Sequence, residues 1–230
     1  AKNLEEYFEE KDINALLVIN PDNPSGNFIP REDILSLATW AKTKNILLIV
    51  DESFVDFSTD STSNTLLQNN ILDSFPNLVV IKSISKSYGV PGLRLGVLTT
   101  SNTSLVQAIR KDVTIWNINS FAEYYMQIFS KYEKDYLQAC QKFIGERKRF
   151  YTELQKISFL RVIPSQANYF LCEVIGMSSK ELVSKLLDTN ILIKDCSEKF
   201  AFDKKSYVRI AIRNEYDNNK IIKSLIGIEN

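Results

Sequence analysis

Short runs of consecutive aliphatic residues organise the first part of the chain: Ala15 to Ile19, Ile46 to Val50 and Leu78 to Ile81. Each run has the length of a strand, and each is closed by a polar residue, Asn20, Asp51 and Lys82 respectively. After Pro30, the apolar residues Ile34, Leu35, Leu37, Ala38 and Ala41 recur at helical spacing, which predicts an amphipathic helix opened by a proline. Uninterrupted aliphatic strands alternating with helices predict a parallel sheet covered on both faces.

The pattern changes in the second half. Tyr136, Cys140, Phe143, Arg147, Phe150, Leu154 and Ile157 recur every three or four residues, predicting one long helix over 133–158. It contains no proline and a single glycine, Gly145, and reads as a rigid link. Shorter strands follow (Leu160 to Ile163, Asn168 to Cys172, Ile191 to Lys194, Tyr207 to Ile212), interspersed with two helices. The expected organisation is an α/β domain over 1–132, the linking helix over 133–158, and a small α+β domain over 159–230. No internal repeat or low-complexity tract is present.

Composition narrows the chemistry. The 230 residues carry 28 acids and 28 bases, so no net field draws the chain to nucleic acid or to an anionic membrane. No apolar run approaches the ~20 residues of a membrane span, and the first residues have neither the basic nor the apolar region of a signal peptide. Three widely spaced cysteines, Cys140, Cys172 and Cys196, suit free thiols in a reducing cytoplasm. Histidine is absent altogether, which removes Ser-His-Asp and Cys-His catalysis, imidazole metal ligands and imidazole proton shuttles. Acid-base work must then fall to Lys, a carboxylate, Tyr or Cys.

Ligands of open α/β sheets bind beyond the carboxyl ends of the strands, and three polar motifs lie there. The third aliphatic run leads into Ser83-Ile84-Ser85-Lys86-Ser87-Tyr88-Gly89-Val90-Pro91-Gly92-Leu93-Arg94-Leu95-Gly96. An activated lysine amine forms imines with carbonyls, while hydroxyls, an arginine and a glycine-freed backbone suit a phosphate. Pyridoxal phosphate carries both an aldehyde and a phosphate. The same segment also fits a strand, a polar turn and a second strand with Lys86 as a solvated charge. Asn20-Pro21-Asp22-Asn23-Pro24-Ser25-Gly26, after the first run, reads equally as a tight turn. Asp51, directly after five aliphatics, needs a partner if buried, or serves as a helix N-cap.

Taken together, these motifs resemble the fold-type I pyridoxal-phosphate aminotransferases, class I and II. The resemblance implies Lys86 as the Schiff-base lysine and proton carrier, with Ser83, Ser85 and Arg94 on the cofactor phosphate. It implies Asn23 as donor to the phenolic oxygen of the pyridoxal ring, and Asp51 as partner of the protonated pyridine nitrogen. Phe54 stands where many relatives have a tyrosine bonded to the same phenolic oxygen, and it cannot make that bond. Lys82 receives no role and reads as a charge at the sheet edge. In Tyr207-Val208-Arg209-Ile210-Ala211-Ile212-Arg213 the family pattern implies Arg209 as the grip on the substrate α-carboxylate, against the plainer reading of a structural ion pair. Arg213 shares its face only if the strand stays regular, and would meet a distal phosphate or solvent.

Pro91 to Gly96 and Ile191-Leu192-Ile193-Lys194-Asp195-Cys196-Ser197 resemble the branch of histidinol-phosphate aminotransferase and threonine-phosphate decarboxylase, which makes Lys194 a further substrate candidate. Phe54 and the Lys-Asp-Cys-Ser stretch lean toward the decarboxylase, where arginine is usual in place of Lys194. Trp116-Asn117-Ile118-Asn119 fits that branch too, while Ser120-Phe121-Ala122-Glu123 reads as a capping box opening a helix. Complete relatives carry a long segment before the Asn-Pro motif. The expectation is therefore an α/β chain that is the remainder of a mostly parallel three-layer large domain plus a small C-terminal domain, a C-terminal part that holds cofactor weakly and turns over nothing alone. The implied function is a cytoplasmic pyridoxal-phosphate aminotransferase of an amino acid or amino-alcohol phosphate, homodimeric in its full-length form, with no nucleic-acid or membrane partner. Threonine-phosphate-type decarboxylation is one alternative; a non-catalytic domain of a regulator or bifunctional protein is another.

Overall fold

The computed structural model describes residues 2–198 and 205–229, and the chain forms two units, each with its own core. The first comprises 1–21 and 28–138; the second comprises 22–27 and 139–230.

The first unit runs α1 (Lys2–Phe8), β1 (Ala15–Ile19), α2 (Arg31–Thr43), β2 (Leu47–Asp51), α3 (Ser61–Asn64), α4 (Asn69–Ser74), β3 (Leu78–Ser83), α5 (Ile84–Ser87), β4 (Gly96–Thr99), α6 (Thr103–Asp112) and α7 (Ser120–Phe129), then the start of α8 (Glu133–Leu154). Its sheet has the order β1-β2-β3-β4, with the first three strands parallel and β4 antiparallel to β3. Alternate strand residues Leu16, Val18, Leu48, Val50, Leu78 and Val80 pack on Ile34, Leu37, Ala38 and Ala41 of α2 and on Ile71 and Leu72 of α4. Removing each such Leu, Ile or Val from water contributes about 1.5–3 kcal/mol. Glu32 and Asp33 in the first turn of α2 complement its dipole.

The second sheet face is only partly covered: Val79 is buried, Ile49 and Ile81 are half-buried, and Leu17 is 59% and Ile19 36% exposed, against the expectation of full cover on both faces. The aliphatic runs signalled two-sided burial, but α2 and α4 pack on the same side. Helix α7 opens where expected, yet its cap is Asn119 rather than Ser120: the Asn119 side-chain oxygen accepts the Ala122 N–H at 2.9 Å.

The second unit holds the rest of α8, β5 (Leu160–Val162), β6 (Tyr169–Val174), α9 (Ser179–Leu187), β7 (Lys194–Asp195), β8 (Tyr207–Ala211) and α10 (Glu215–Glu229). Its antiparallel sheet has the order β5-β6-β8-β7. The long helix ends at Leu154, and Phe150 and Leu154 lie fully buried in this unit's core, with the Phe150 ring edge-on to Phe170 at 6.0 Å. Ile157 joins the same core from beyond the helix end. The strand expected from Ile191 is only two residues long, Lys194–Asp195, the stretch that pairs with Arg209 and Val208 of β8.

Segment 22–27 belongs to the second unit although its flanks belong to the first. Its neck is closed by Asn20, whose side chain donates to Ile29 O at 2.9 Å and accepts from Ile29 N–H at 2.8 Å. Within the second unit, Gly26 O accepts the Gln166 N–H at 2.9 Å and Asp22 O accepts the Tyr169 hydroxyl at 2.8 Å. All three cysteines are buried and none forms a disulfide.

Candidate functional site

Parallel register puts Ile19, Asp51 and Ile81 side by side, so the polar residues that close β1, β2 and β3 converge at one edge of the first unit. Asp51 is half-buried there, and its Oδ1 accepts the Ser53 N–H at 2.8 Å. Its second oxygen has no hydrogen-bond partner among the described residues, which leaves a carboxylate edge for a cationic N–H. The N-cap reading of Asp51 does not hold, since the following turn, Val55–Phe57, is capped at Phe54. Ser53 carries the link onward, its Oγ accepting the Ser83 N–H at 3.0 Å.

Lys86 lies exposed on the single turn of α5, directly after β3. Its Nζ stands 5.7 Å from the centre of the buried Phe54 ring. Ser83, Ser85 and Arg94, with Ser53 and β4, line a concavity of about 410 Å3. A hydroxyl and a guanidinium facing one concavity beside a lysine turn fit the phosphate of pyridoxal phosphate. Ser85 is the more enclosed, its hydroxyl 3.4 Å from Leu95 O. Arg94 takes the left-handed backbone conformation (φ 53°), where the chain turns from the Pro91–Leu93 helical turn toward β4. For an L residue this costs about 1–2 kcal/mol.

The second unit brings together a different pair. Arg209, half-buried on β8, donates from Nη1 to the side-chain oxygen of Asn23 at 2.7 Å. Its guanidinium stacks on the Tyr169 ring at 4.8 Å. Across the ladder Arg209 is paired in register with Lys194 of β7. Two cations face each other there, and neither forms an ion pair with a carboxylate among the described residues. The described residues thus supply no carboxylate for the ion-pair reading of Arg209. Asp195 braces the next residues, accepting the N–H and hydroxyl of Ser197, each at 2.9 Å. Burial raises the pKa of Asp195, but its hydrogen bonds from Ser197 and Ser179 outweigh that and leave it below the usual carboxylate value.

Arg213 does not share the face of Arg209. The strand ends at Ala211, and Arg213 binds Asp217 at 2.7 Å, lining with Lys220 and Ile193 a separate concavity of about 320 Å3.

Lys82 corrects the sequence reading outright. It is 7% exposed, and its Nζ binds Asp56 at 2.6 Å in a pair whose side chains are 8% and 13% exposed. Asp56, Ser53 and Ser87 were not legible as site residues. The only local signal was a charge, Lys82, continuing a buried strand. Among the described residues there is no cluster of metal-ligating side chains and no helix long and apolar enough to cross a membrane.

Comparison with known proteins agrees with this layout. The family model for aminotransferase class I and II matches residues 1–225. A threonine-phosphate decarboxylase of Salmonella typhimurium is 32% identical over 221 residues, covering 94% of this chain and 58% of its own length. An L-serine phosphate decarboxylase of Campylobacter jejuni is 29% identical over 235 residues, covering 98% of this chain and 59% of its own length. The crystal structure of the histidinol-phosphate aminotransferase from Clostridium acetobutylicum superposes with a TM-score of 0.89 at 32% identity, covering 98% of this chain and 66% of that one. The chain thus spans rather more than half the length of these curated relatives.

Proposed function

Because the chain belongs to the class I and II aminotransferases, a family that uses pyridoxal phosphate, we propose that it holds this cofactor and acts on an amino acid or amino alcohol that carries a phosphate. The observation that carries the substrate class is the register pair Lys194 and Arg209. Like charges directly opposite on a ladder repel, and a dianionic phosphate, joined in an amino acid by a carboxylate, relieves that. Arg209 holds the α-carboxylate through its planar fork, and Lys194 meets the phosphate as a point charge.

Ser83, Ser85 and Arg94 hold the cofactor phosphate, Asp51 the proton on the pyridine nitrogen, and Asn23 the phenolic oxygen. When bound, the cofactor supplies an aldehyde for amine condensation and a cationic ring that withdraws electrons from Cα. Lys86 is the amine that carries the cofactor, and its Nζ moves the proton at substrate Cα. With Arg209 on the α-carboxylate and Lys86 as the proton carrier, these residues would support transamination. Decarboxylation is the second reading, favoured by Phe54 in place of a tyrosine and by the serine- and threonine-phosphate decarboxylases among the relatives. A cytoplasmic enzyme is in keeping with three buried cysteines that form no disulfide.

The test uses the protein that carries this chain, incubated with pyridoxal phosphate, reduced with borohydride and mapped by peptide mass. Expected is a pyridoxyl adduct on Lys86 in the reduced sample and, in a separate unreduced sample given a keto-acid acceptor, keto product from histidinol phosphate or an amino-acid phosphate. Carbon dioxide released from L-threonine or L-serine phosphate without keto product would move the reaction to decarboxylation. An adduct spread over surface lysines would sink the cofactor reading.

A further inference from the structure

Asp56 lies outside every motif at the strand ends, yet it touches the lysine turn on both sides. One carboxylate oxygen binds Lys82 Nζ at 2.6 Å, and the other accepts the Ser87 hydroxyl at 2.6 Å. Lys82 ends the buried part of β3 and Ser87 ends α5, so the two partners bracket Lys86. The segment carrying Asp56 is itself anchored. Glu52 N–H donates to Ile81 O at 2.7 Å, and the buried Glu52 carboxylate takes the Leu66 N–H at 2.6 Å and the Thr65 hydroxyl at 2.7 Å. Asp56 is therefore a fixed point, held by a loop whose two ends are tied down.

The geometry points to Asp56 as a positioning residue: through Lys82 and Ser87 it clamps the one-turn helix that carries Lys86, fixing where Nζ stands relative to Phe54 and the serines of the concavity. A four-residue helix has too few internal hydrogen bonds to hold its own shape. Besides the Asp56 links, the turn is tied by Ile84 N–H to Leu95 O at 3.0 Å, by Gly89 N–H to Lys86 O at 3.3 Å, and by Ser83 N–H to Ser53 Oγ. The Asp56–Ser87 bond ties the end of the turn beyond Lys86 to the Val55–Phe57 helical turn, and the Tyr88 ring that follows stacks on Tyr136 at 4.3 Å. The Lys82 ammonium also sits 5.9 Å from the Tyr88 ring centre, on the residue that follows the turn. A buried charge-assisted bond loses little to competing water, so it fixes a geometry as well as adding stability. The inference rests on Lys86 being the cofactor lysine.

The experiment compares the wild-type protein with Ser87→Ala, Ser87→Thr and Asp56→Asn. Hydrogen exchange of peptides spanning 82–95 is followed without cofactor, and borohydride fixation on Lys86 is measured at subsaturating pyridoxal phosphate. Expected for Ser87→Ala is about tenfold faster exchange in the turn, the loss of one charge-assisted bond. Fixation on Lys86 falls several-fold, the absorbance maximum of the bound cofactor shifts, and Ser87→Thr restores all three. Asp56→Asn shows the larger effect if it folds; Ser87→Ala decides the matter if it does not. Wild-type exchange and fixation in Ser87→Ala would overturn the clamp. If wild type fixes no cofactor on Lys86, the functional reading fails, while the exchange data still decide whether Asp56 orders the turn.

Discussion

Arg209 donates to the side-chain oxygen of Asn23 at 2.7 Å, so the residue assigned to the substrate carboxylate and the residue assigned to the phenolic oxygen of the cofactor are bonded neighbours. They are 186 positions apart in the chain. The contact exists because segment 22–27 folds into the second unit. Stacked on Tyr169 and tethered to Asn23, the guanidinium has already lost much of the rotamer freedom that binding would otherwise cost.

Arg209→Lys keeps the charge but loses the fork and the stack. The expected outcome in steady-state kinetics is a KM for the amino substrate raised about 10- to 100-fold, with cofactor fixation on Lys86 unchanged. An unchanged KM would remove Arg209 from the substrate site.

Lys194→Met is expected to act on one class of substrate only. The kcat/KM for a phosphate-bearing amine falls about tenfold or more, while an amine lacking the phosphate reacts as before, and Lys194→Arg retains most of the rate. Equal losses for both substrates would show that Lys194 does not meet the phosphate.

Gly26→Ala tests the seating of the Asn-Pro segment. Gly26 has φ +71°, and a Cβ there would meet Ser165 Oγ at 2.0 Å and Ser165 Cα at 3.2 Å. A positive φ and a backbone collision together predict a loss of about 2–4 kcal/mol, read as a lower melting temperature. Ser165→Gly in the same chain recovers part of it, because the hydroxyl is removed and the backbone strain remains. Unaltered stability in Gly26→Ala would mean that the segment packs elsewhere.

Two carboxylates give opposite pH signatures. Burial pushes the Glu52 carboxyl above the ordinary glutamate value of 4.5, although hydrogen bonds from Thr65 and Leu66 oppose it. The folded state then binds its proton more tightly than the unfolded chain. The cost of its buried charge is absent at low pH and develops as pH rises from about 4.5 through the raised folded value. The hydrogen bond from Arg149 holds Glu146 below 4.5, with Asn218 helping. Its contribution is present above 4.5 and is lost as pH falls through the lowered value. Glu52→Gln should therefore gain stability relative to wild type as pH climbs from about 4 to 7, in urea titrations at each pH. A constant difference between the two proteins over that range would refute the burial argument.

The periodicity of the first part located β1, β2, β3 and α2 to within a residue or two, because each is a local run with one buried stripe. β4 was legible only as the second strand of the plain strand-turn-strand reading, because Gly96 to Thr99 is short, mostly exposed and defined by its antiparallel pairing with β3. The strand expected over Ile191 to Lys194 begins three residues later, since pairing with β8 rather than the apolar run defines β7. Among site residues, Asp51, Ser83, Lys86 and Arg209 stood out as polar groups at the ends or in the middle of apolar strands. Asp56 and Ser87 had no such contrast with their neighbours.

Residue order alone determined the chemistry on offer: a lysine between hydroxyls, an acid closing an aliphatic strand, an arginine within one, and no imidazole. These are local facts of type and spacing, so the linear chain states them without folding. Tertiary structure alone decided that Lys82 is a buried partner of Asp56 rather than a charge at the edge, and that Arg213 leaves the face of Arg209. It also decided that Asn23 is carried to Arg209. Such pairings depend on strand register and on where a chain crosses between cores, and no stretch of neighbouring residues encodes either.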